Sequence, residues 1–261
     1  MHLFLSPHFD DAALACGAQI STLTRKGERV MIYTVMAGDP PVNFKHTQFT
    51  RQHHERWALG ENPAEGRQIE DRQAAQLLGA EVQFGPYPDA IYRIDPQGGG
   101  ALYSNDAALM GIVNQADPVK QVKRAAVIQA LLNLLGVKSG NDVIHAPLGV
   151  GRHVDHQIVR DMGLAMAQWR PDNRVYFYED YPYTRLGDGA IQMAVRQLNQ
   201  PAERVTRRVT EHAIAVKIAA IECYKSQLSG LGWLTKEAMA ADVRADVEQA
   251  EGEREWLLLR E

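Results

Sequence analysis

Two short segments concentrate imidazole and carboxylate side chains. The first reads Ser6-Pro7-His8-Phe9-Asp10-Asp11. The second reads Pro147-Leu148-Gly149-Val150-Gly151-Arg152-His153-Val154-Asp155-His156. His8 and Asp11 are three residues apart at the start of a predicted helix, a spacing that can turn both side chains to one side. With His156 from the second segment they offer two imidazole nitrogens and one carboxylate oxygen. That donor set suits zinc with a fourth position left for water. Asp10 would then stand free beside the water and could take its proton during attack. His153, three residues before His156, could stabilise a developing oxyanion or protonate a leaving group, with Asp155 orienting its ring. Taken singly, the same residues have plainer uses. Asp10 and Asp11 could be helix N-caps favoured by the helix dipole, and His153 and His156 could be surface residues on a polar turn.

The two segments can meet only if the ends of two strands are brought side by side. The pattern of apolar runs provides for this. Leu3–Leu5, Val30–Met36, Ala80–Phe84, Asp142–Ala146 and Arg174–Tyr178 read as strands, and Val205–Val209 as a further candidate. Between them run predicted helices: Ala12 to about Lys26 (stopped by Gly27), Gln68–Leu78, a helix opened by Asp117-Pro118 and continuing through Leu135, and His153 or Val154 to Trp169. Helices at Glu211–Gln227 and Lys236–Gln249 complete a helical C-terminal portion. The alternation implies an α/β, Rossmann-like fold: a mainly parallel sheet flanked by helices, in a single domain over residues 1–261. In such sheets, sites form at the carboxyl ends of the strands, which is where both segments lie. The stretch from Gly38 to Pro63 is too long for a simple connection and should carry function or a helix of its own. Residues 86–105 read as a long surface loop.

Composition narrows the function classes. The chain has 261 residues, 28 Lys+Arg against 32 Asp+Glu, and a net charge of −4. With a pI near 6.1 there is no bulk attraction to nucleic acid or anionic lipid. No Gly-x-Gly-x-x-Gly follows the first strand and no Gly-x-x-x-x-Gly-Lys-Ser/Thr occurs, so nucleotide binding loses its usual support. Cys16 and Cys223 are too few for a disulfide framework or a Cys-rich zinc module and read as small buried residues. The start of the chain lacks a basic n-region, and no run approaches the ~18 apolar residues of a membrane span. A cytoplasmic, reduced setting is the expectation.

The two motifs resemble a known family. His8-Phe9-Asp10-Asp11 is similar to the His-Pro-Asp-Asp signature of the PIG-L/LmbE-like zinc deacetylases, and His153-Val154-Asp155-His156 to their His-x-Asp-His signature. Arg67 with Glu70 resembles the family's Arg-x-x-Glu helix. Asp89 lies where members often carry an acidic residue, and the blocks at 178–183 and 217–227 resemble later family blocks, so the likeness spans about residues 1–230. The resemblance implies a metal-dependent amide hydrolase that removes acetyl from an N-acetylglucosamine unit attached to a lipid, inositol, malate or other aglycone. By position it implies His8, Asp11 and His156 as ligands of Zn2+, with Fe2+ as an alternative ion. It implies Asp10 as base, His153 as oxyanion or acid group with Asp155 behind it, and Arg67 as a substrate contact. Phe9 in place of the usual proline and Ala12 in place of a frequent glutamate are departures that bear on loop stiffness and pocket shape.

Other residues admit two readings each. Asp39 and Asp89 are candidate substrate contacts, Asp39 equally a loop cap. His46, His53, His54, Arg51, Arg56 and Trp57 could wall a pocket or form a solvated basic turn. Tyr92, Arg93, Glu179 and Tyr181 could reach substrate or serve structure, and His145 inside an apolar strand reads as a core histidine. Trp256-Leu257-Leu258-Leu259 is a packing strip or a homo-oligomer contact. The expected partner is a small acetamido sugar conjugate, with no nucleic acid and no membrane span. Two rival functions remain: a non-catalytic metal-containing sugar- or lipid-binding module, and a mononuclear iron(II) enzyme, whose facial triad uses the same donors.

Overall fold

The computed structural model describes residues 1–42, 44–60 and 63–259. Positions 43, 61 and 62 of the expected 38–63 segment, and the last two residues of the expected 1–261 domain, lie outside the described residues. The aliphatic runs form β1 (His2–Ser6), β2 (Val30–Thr34), β3 (Glu81–Phe84), β4 (Val143–Pro147) and β5 (Arg174–Tyr178), joined by β6 (Ala202–Arg207) and β7 (Glu253–Leu258). One sheet results, in the order β3-β2-β1-β4-β5-β7-β6. The first five strands are parallel, and β7 runs antiparallel between β5 and β6.

The helices are α1 (Asp11–Arg25), α2 (Gln48–Trp57), α3 (Pro63–Leu78), α4 (Asp106–Leu109), α5 (Ala125–Leu134), α6 (Val154–Trp169), α7 (Asp188–Arg196), α8 (Glu211–Ile221), α9 (Lys225–Leu228) and α10 (Lys236–Gln249). Two apolar layers hold them to the sheet, and β1 shows how. Leu3 and Leu5 enter a cluster with Ile128, Leu132, Ile158 and Ile191 from α5, α6 and α7. Phe4, one residue out of phase, enters the opposite cluster with Ala15, Ala75 and Ala220 from α1, α3 and α8. A strand covered on both faces needs apolar residues at consecutive positions, which is why these runs do not alternate in polarity. Each such side chain contributes roughly 1.5–3 kcal/mol by leaving water. The chain winds outward from β1 to β3 on one side and from β4 to β5 on the other, so a crevice opens where β1 and β4 lie adjacent.

Three expectations change. The helix opened by Asp117 does not run unbroken to Leu135. Pro118–Lys123 is a 3₁₀ turn, Arg124 is extended, and α5 starts at Ala125. Val119 and Val122, three apart, are both buried, as three residues per turn allows. The predicted Glu211–Gln227 helix breaks after Ile221, because the next residues bond outward to α3: Tyr224 Oη donates to Asp71 Oδ1 (2.7 Å), and Ser226 N and Oγ donate to the Glu70 carboxylate (2.9 and 2.6 Å). The C-terminal portion is not wholly helical, since it contains β6 and β7. Trp256 and Leu258 thereby join the main core of this chain.

Candidate metal centre

The loop after β1 is stitched to the start of α1 by its own side chains. Ser6 Oγ donates to His8 O (2.6 Å) and accepts from Ala12 N (3.0 Å), and Asp11 Oδ2 accepts from His8 N (2.8 Å). Asp10 occupies the N-cap position of α1 but makes no capping bond. The simple cap reading therefore fails for Asp10 and leaves its carboxylate free, lining a cleft of about 240 Å3.

The second segment meets it across the β1–β4 crevice. Gly149 and Gly151 both take positive φ (84° and 82°), and a Cβ on Gly151 would lie 2.6 Å from the Tyr183 ring. Only glycine fits there without displacing that ring, which rests edge-on against His156 with centroids 5.5 Å apart. Asp11 Oδ2 then lies 3.2 Å from His8 Nδ1 and 3.3 Å from His156 Nε2. A tetrahedral ion bound at about 2.0–2.2 Å sets neighbouring ligand atoms about 3.3 Å apart, the spacing that Asp11 keeps from each of the two imidazoles. The imidazoles of His8, His153 and His156 offer nitrogens within 4.8 Å of one another, as do the donor atoms of His8, Asp89 and Asp155.

Both imidazoles, His8 and His156, are held from behind by a carboxylate. His156 Nδ1 bonds Asp180 Oδ1 (2.6 Å), and Asp180 Oδ2 accepts from Gly149 N and Val150 N (2.8 and 2.9 Å). His8 Nε2 bonds Asp155 Oδ2 (2.9 Å). Such pairing fixes ring orientation and raises ligand basicity. Burial alone would lower both histidines, but carboxylates prevail: Asp89, Asp11 and Asp155 raise His8 well above its ordinary value, and Asp11 and Asp180 push His156 up to about 10. The pocket is thus built to hold positive charge. Asp11, although buried, is held well below the usual carboxylate range by His156 and His8. Asp10 goes the other way, pushed up to about 6 by burial and by repulsion from Asp11.

His153 differs from its neighbours. Burial and the adjacent His8 lower it to about 3, so the ring is neutral. Its Nδ1 accepts from Asp155 N (3.2 Å), which leaves Nε2 as the protonated nitrogen. Here an expectation is corrected: the Asp155 carboxylate does not stand behind His153. At the first turn of α6 it points to His8, to Ala90 N (3.1 Å) and to Arg93, and only its backbone N–H orients His153.

Arg67 and Asp89 line the cleft, whereas Asp39 does not. Gly38 bridges to Pro88, and a Cβ on it would lie 2.3 Å from Pro86 O. The chain therefore runs against the 86–88 backbone and carries Asp39 out to solvent. The Arg67 guanidinium is sandwiched between the rings of Phe9 (4.8 Å) and Trp57 (4.7 Å), with Nη1 3.6 Å from Asp89 Oδ2 and Nε without a partner among the described residues. Glu179 and Tyr181 lie away from the cleft. Glu179 pairs with Arg204 and Arg254, and Tyr181 Oη bonds Asp242 (2.9 Å). Tyr92 Oη bonds His54 Nε2 (2.5 Å), and Arg93 is buried between Asp117 and Asp155. The residues that sequence reasoning missed are Asp180, Tyr183, Asp106, Leu109 and Met110. Asp180 sits beside Glu179 in a block already marked by resemblance, and its signal was its place at the carboxyl end of β5. The residues of α4 carried no such signal.

The chain is similar to known proteins in sequence and in fold. A family profile described as PIG-L, GlcNAc-PI de-N-acetylase, matches residues 3–167. The chain is similar to the 2'-N-acetylparomamine deacetylase of Niallia circulans, 32% identical over 241 residues that cover 88% of this chain and 81% of that protein. The protein of the same name from Streptomyces fradiae is 28% identical over 206 residues, covering 75% and 62%. The crystal structure of the zinc-inhibited form of a teicoplanin deacetylase superposes with a TM-score of 0.82 at 25% identity, covering 100% of this chain and 98% of that one. Among the described residues, no helix is long and apolar enough to cross a membrane.

Proposed function

The chain belongs to the PIG-L family of de-N-acetylases, and on that premise we propose that it hydrolyses the N-acetyl group of a small acetamido sugar conjugate at the centre formed by His8, Asp11 and His156. The observation that carries this reading is the pairing of two carboxylate-backed imidazoles with Asp11 at ligand spacing, beside an uncommitted Asp10. A divalent ion held there, zinc first and iron(II) second, supplies Lewis acidity that polarises the amide carbonyl and acidifies water. Asp10 takes the proton of the attacking water at its free carboxylate oxygen. His153, neutral and protonated at Nε2, donates to the carbonyl oxygen as that atom gains charge. The proton on Asp10 then passes to the leaving nitrogen, so the amine departs uncharged with acetic acid, which gives its remaining proton to solvent as acetate.

Arg67 donates to the sugar from the opposite wall. The rings of Phe9, at the position where the family usually carries proline, and Trp57 of α2 both pack on its guanidinium, with centroids 4.8 and 4.7 Å from Cζ. A desolvated cation–π contact is worth about 0.5–2 kcal/mol. Trp57→Ala is therefore expected to raise KM about 2- to 30-fold with kcat nearly unchanged, and Trp57→Phe to restore most of the loss. An equal fall in kcat and kcat/KM would instead mean that the ring acts on the chemical step.

The direct test is amine release from acetamido sugar conjugates, with 2'-N-acetylparomamine among them. Chelated protein is compared with protein reloaded with zinc or iron(II). Release that disappears on chelation and returns with metal supports the proposal. Metal binding with no release from any acetamido sugar would overturn it in favour of a binding module.

A further inference from the structure

A second cavity, of about 280 Å3, lies on the α1-covered face of the sheet and shares no lining residue with the cleft. Its walls include Lys26, Arg174, Arg207 and Arg208, and none of its lining residues is acidic. Arg207 is committed to Glu255 Oε2 (2.9 Å) and stacks over Tyr176 at 4.4 Å. Lys26, Arg174 and Arg208 have no ion-pair partner among the described residues. All three are exposed at the rim of one concavity, where they give it a single sign of charge that an anion would complement.

A buried relay, unused by the proposed chemistry, ends in the same place. Glu255 Oε1 pairs with His145 Nδ1 (2.5 Å), and His145 Nε2 bonds His2 Nδ1 (3.0 Å). Glu255 and His145 are wholly buried, and the His145 ring lies flat on Phe4 with centroids 4.0 Å apart. Both nitrogens of His145 are therefore fixed, and His2, which lines the cavity, keeps Nε2 as the open end of the chain. Gln19, 5% exposed, also lines the cavity. It donates Nε2 to Glu255 Oε2 (3.1 Å), while its Oε1 has no donor among the described residues.

We propose that this cavity binds a phosphate group, free or carried by a small phosphorylated molecule. Guanidinium groups match phosphate oxygens in bidentate geometry, and two unpaired arginines with a lysine suit a dianion better than a single carboxylate. The volume lies just below the usual range for small-molecule sites, which suits a group as small as phosphate. The site stands independently of the deacetylase reading.

Calorimetric titration of the full chain with inorganic phosphate and with glucose 6-phosphate, at constant ionic strength set with chloride, tests it. Saturable binding of phosphate is expected, weakened roughly tenfold or more in an Arg174→Gln/Arg208→Gln variant, whose turnover of an acetamido sugar without phosphate stays unchanged. Binding of inorganic phosphate alone assigns an ion site, and binding of both probes assigns a phosphorylated metabolite. Heat no greater than dilution into chloride, or equal affinity in wild type and variant, overturns the proposal. Equal affinity would place the phosphate at the metal centre instead.

Discussion

An Asp10→Asn protein is expected to bind zinc as the unsubstituted chain does and to turn over an acetamido sugar about 10²–10⁴-fold more slowly, the range for a general acid–base group. Asparagine keeps the shape of the side chain but cannot accept the water's proton. The loss should therefore fall on kcat, with KM little changed. Zinc should remain because Asp10 is not one of the three atoms at ligand spacing; that oxygen belongs to Asp11. The helix should remain because Asp10 makes no capping bond at the start of α1. Asp11→Asn is the contrasting control, since it weakens the ion itself and should lower bound zinc together with turnover. Zinc content and kcat measured on the same preparations separate the two. Turnover within a few-fold of wild type in Asp10→Asn would remove Asp10 from the proton path and leave His153 as the only candidate.

The legible part of this molecule is what depends on local pattern. β1, β4 and the loops that follow them could be read because runs buried on both faces are apolar at nearly every position, His145 being the exception, and because His and Asp clusters interrupt those runs abruptly. β7 could not be read in the same way. It begins Glu253-Arg254-Glu255, which looks like a solvated turn, and both glutamates are buried only because Lys217 reaches Glu253 Oε1 (2.7 Å) and His145 and Arg207 reach Glu255. Those partners are 36 to 110 residues away in sequence. The partner of the Asp155 carboxylate is hidden from the sequence for a related reason. The spacing of Asp155 from His153 suggests a local pair, but the first turn of α6 aims the carboxylate across the crevice at His8, 147 residues earlier. Local spacing thus identified which residues cluster, while tertiary pairing decided which nitrogen each carboxylate holds.

Arg93→Met is expected to destabilise the fold by about 3–5 kcal/mol, the cost of stripping one partner from a buried ion pair, seen as a fall in Tm of roughly 10 °C. Arg93 comes from the long 86–105 segment that sequence alone reads as surface loop, yet it is 2% exposed. Its Nη1 donates to Asp117 Oδ2 (2.8 Å), its Nη2 to Asp155 Oδ1, and its Nε to Pro88 O (3.2 Å). Tyr103 Oη closes the group by donating to Asp117 Oδ2 (2.8 Å). Methionine fills much of the volume but leaves two buried carboxylates with no cation except His8. Arg93 holds Asp155 ionised against the effect of burial, as the first of the groups that lower it, and Asp155 in turn holds His8. Loss of Arg93 should therefore reach the metal centre as well as the melting curve, with zinc affinity falling about 10- to 100-fold, as when a partner behind a ligand histidine is removed. Arg93→Met combined with Asp117→Asn removes one of the stranded charges and should recover part of the stability but none of the zinc affinity, because Asp155 still lacks its guanidinium. Full recovery of both would mean that Asp117, and not Asp155, is the carboxylate that Arg93 chiefly serves.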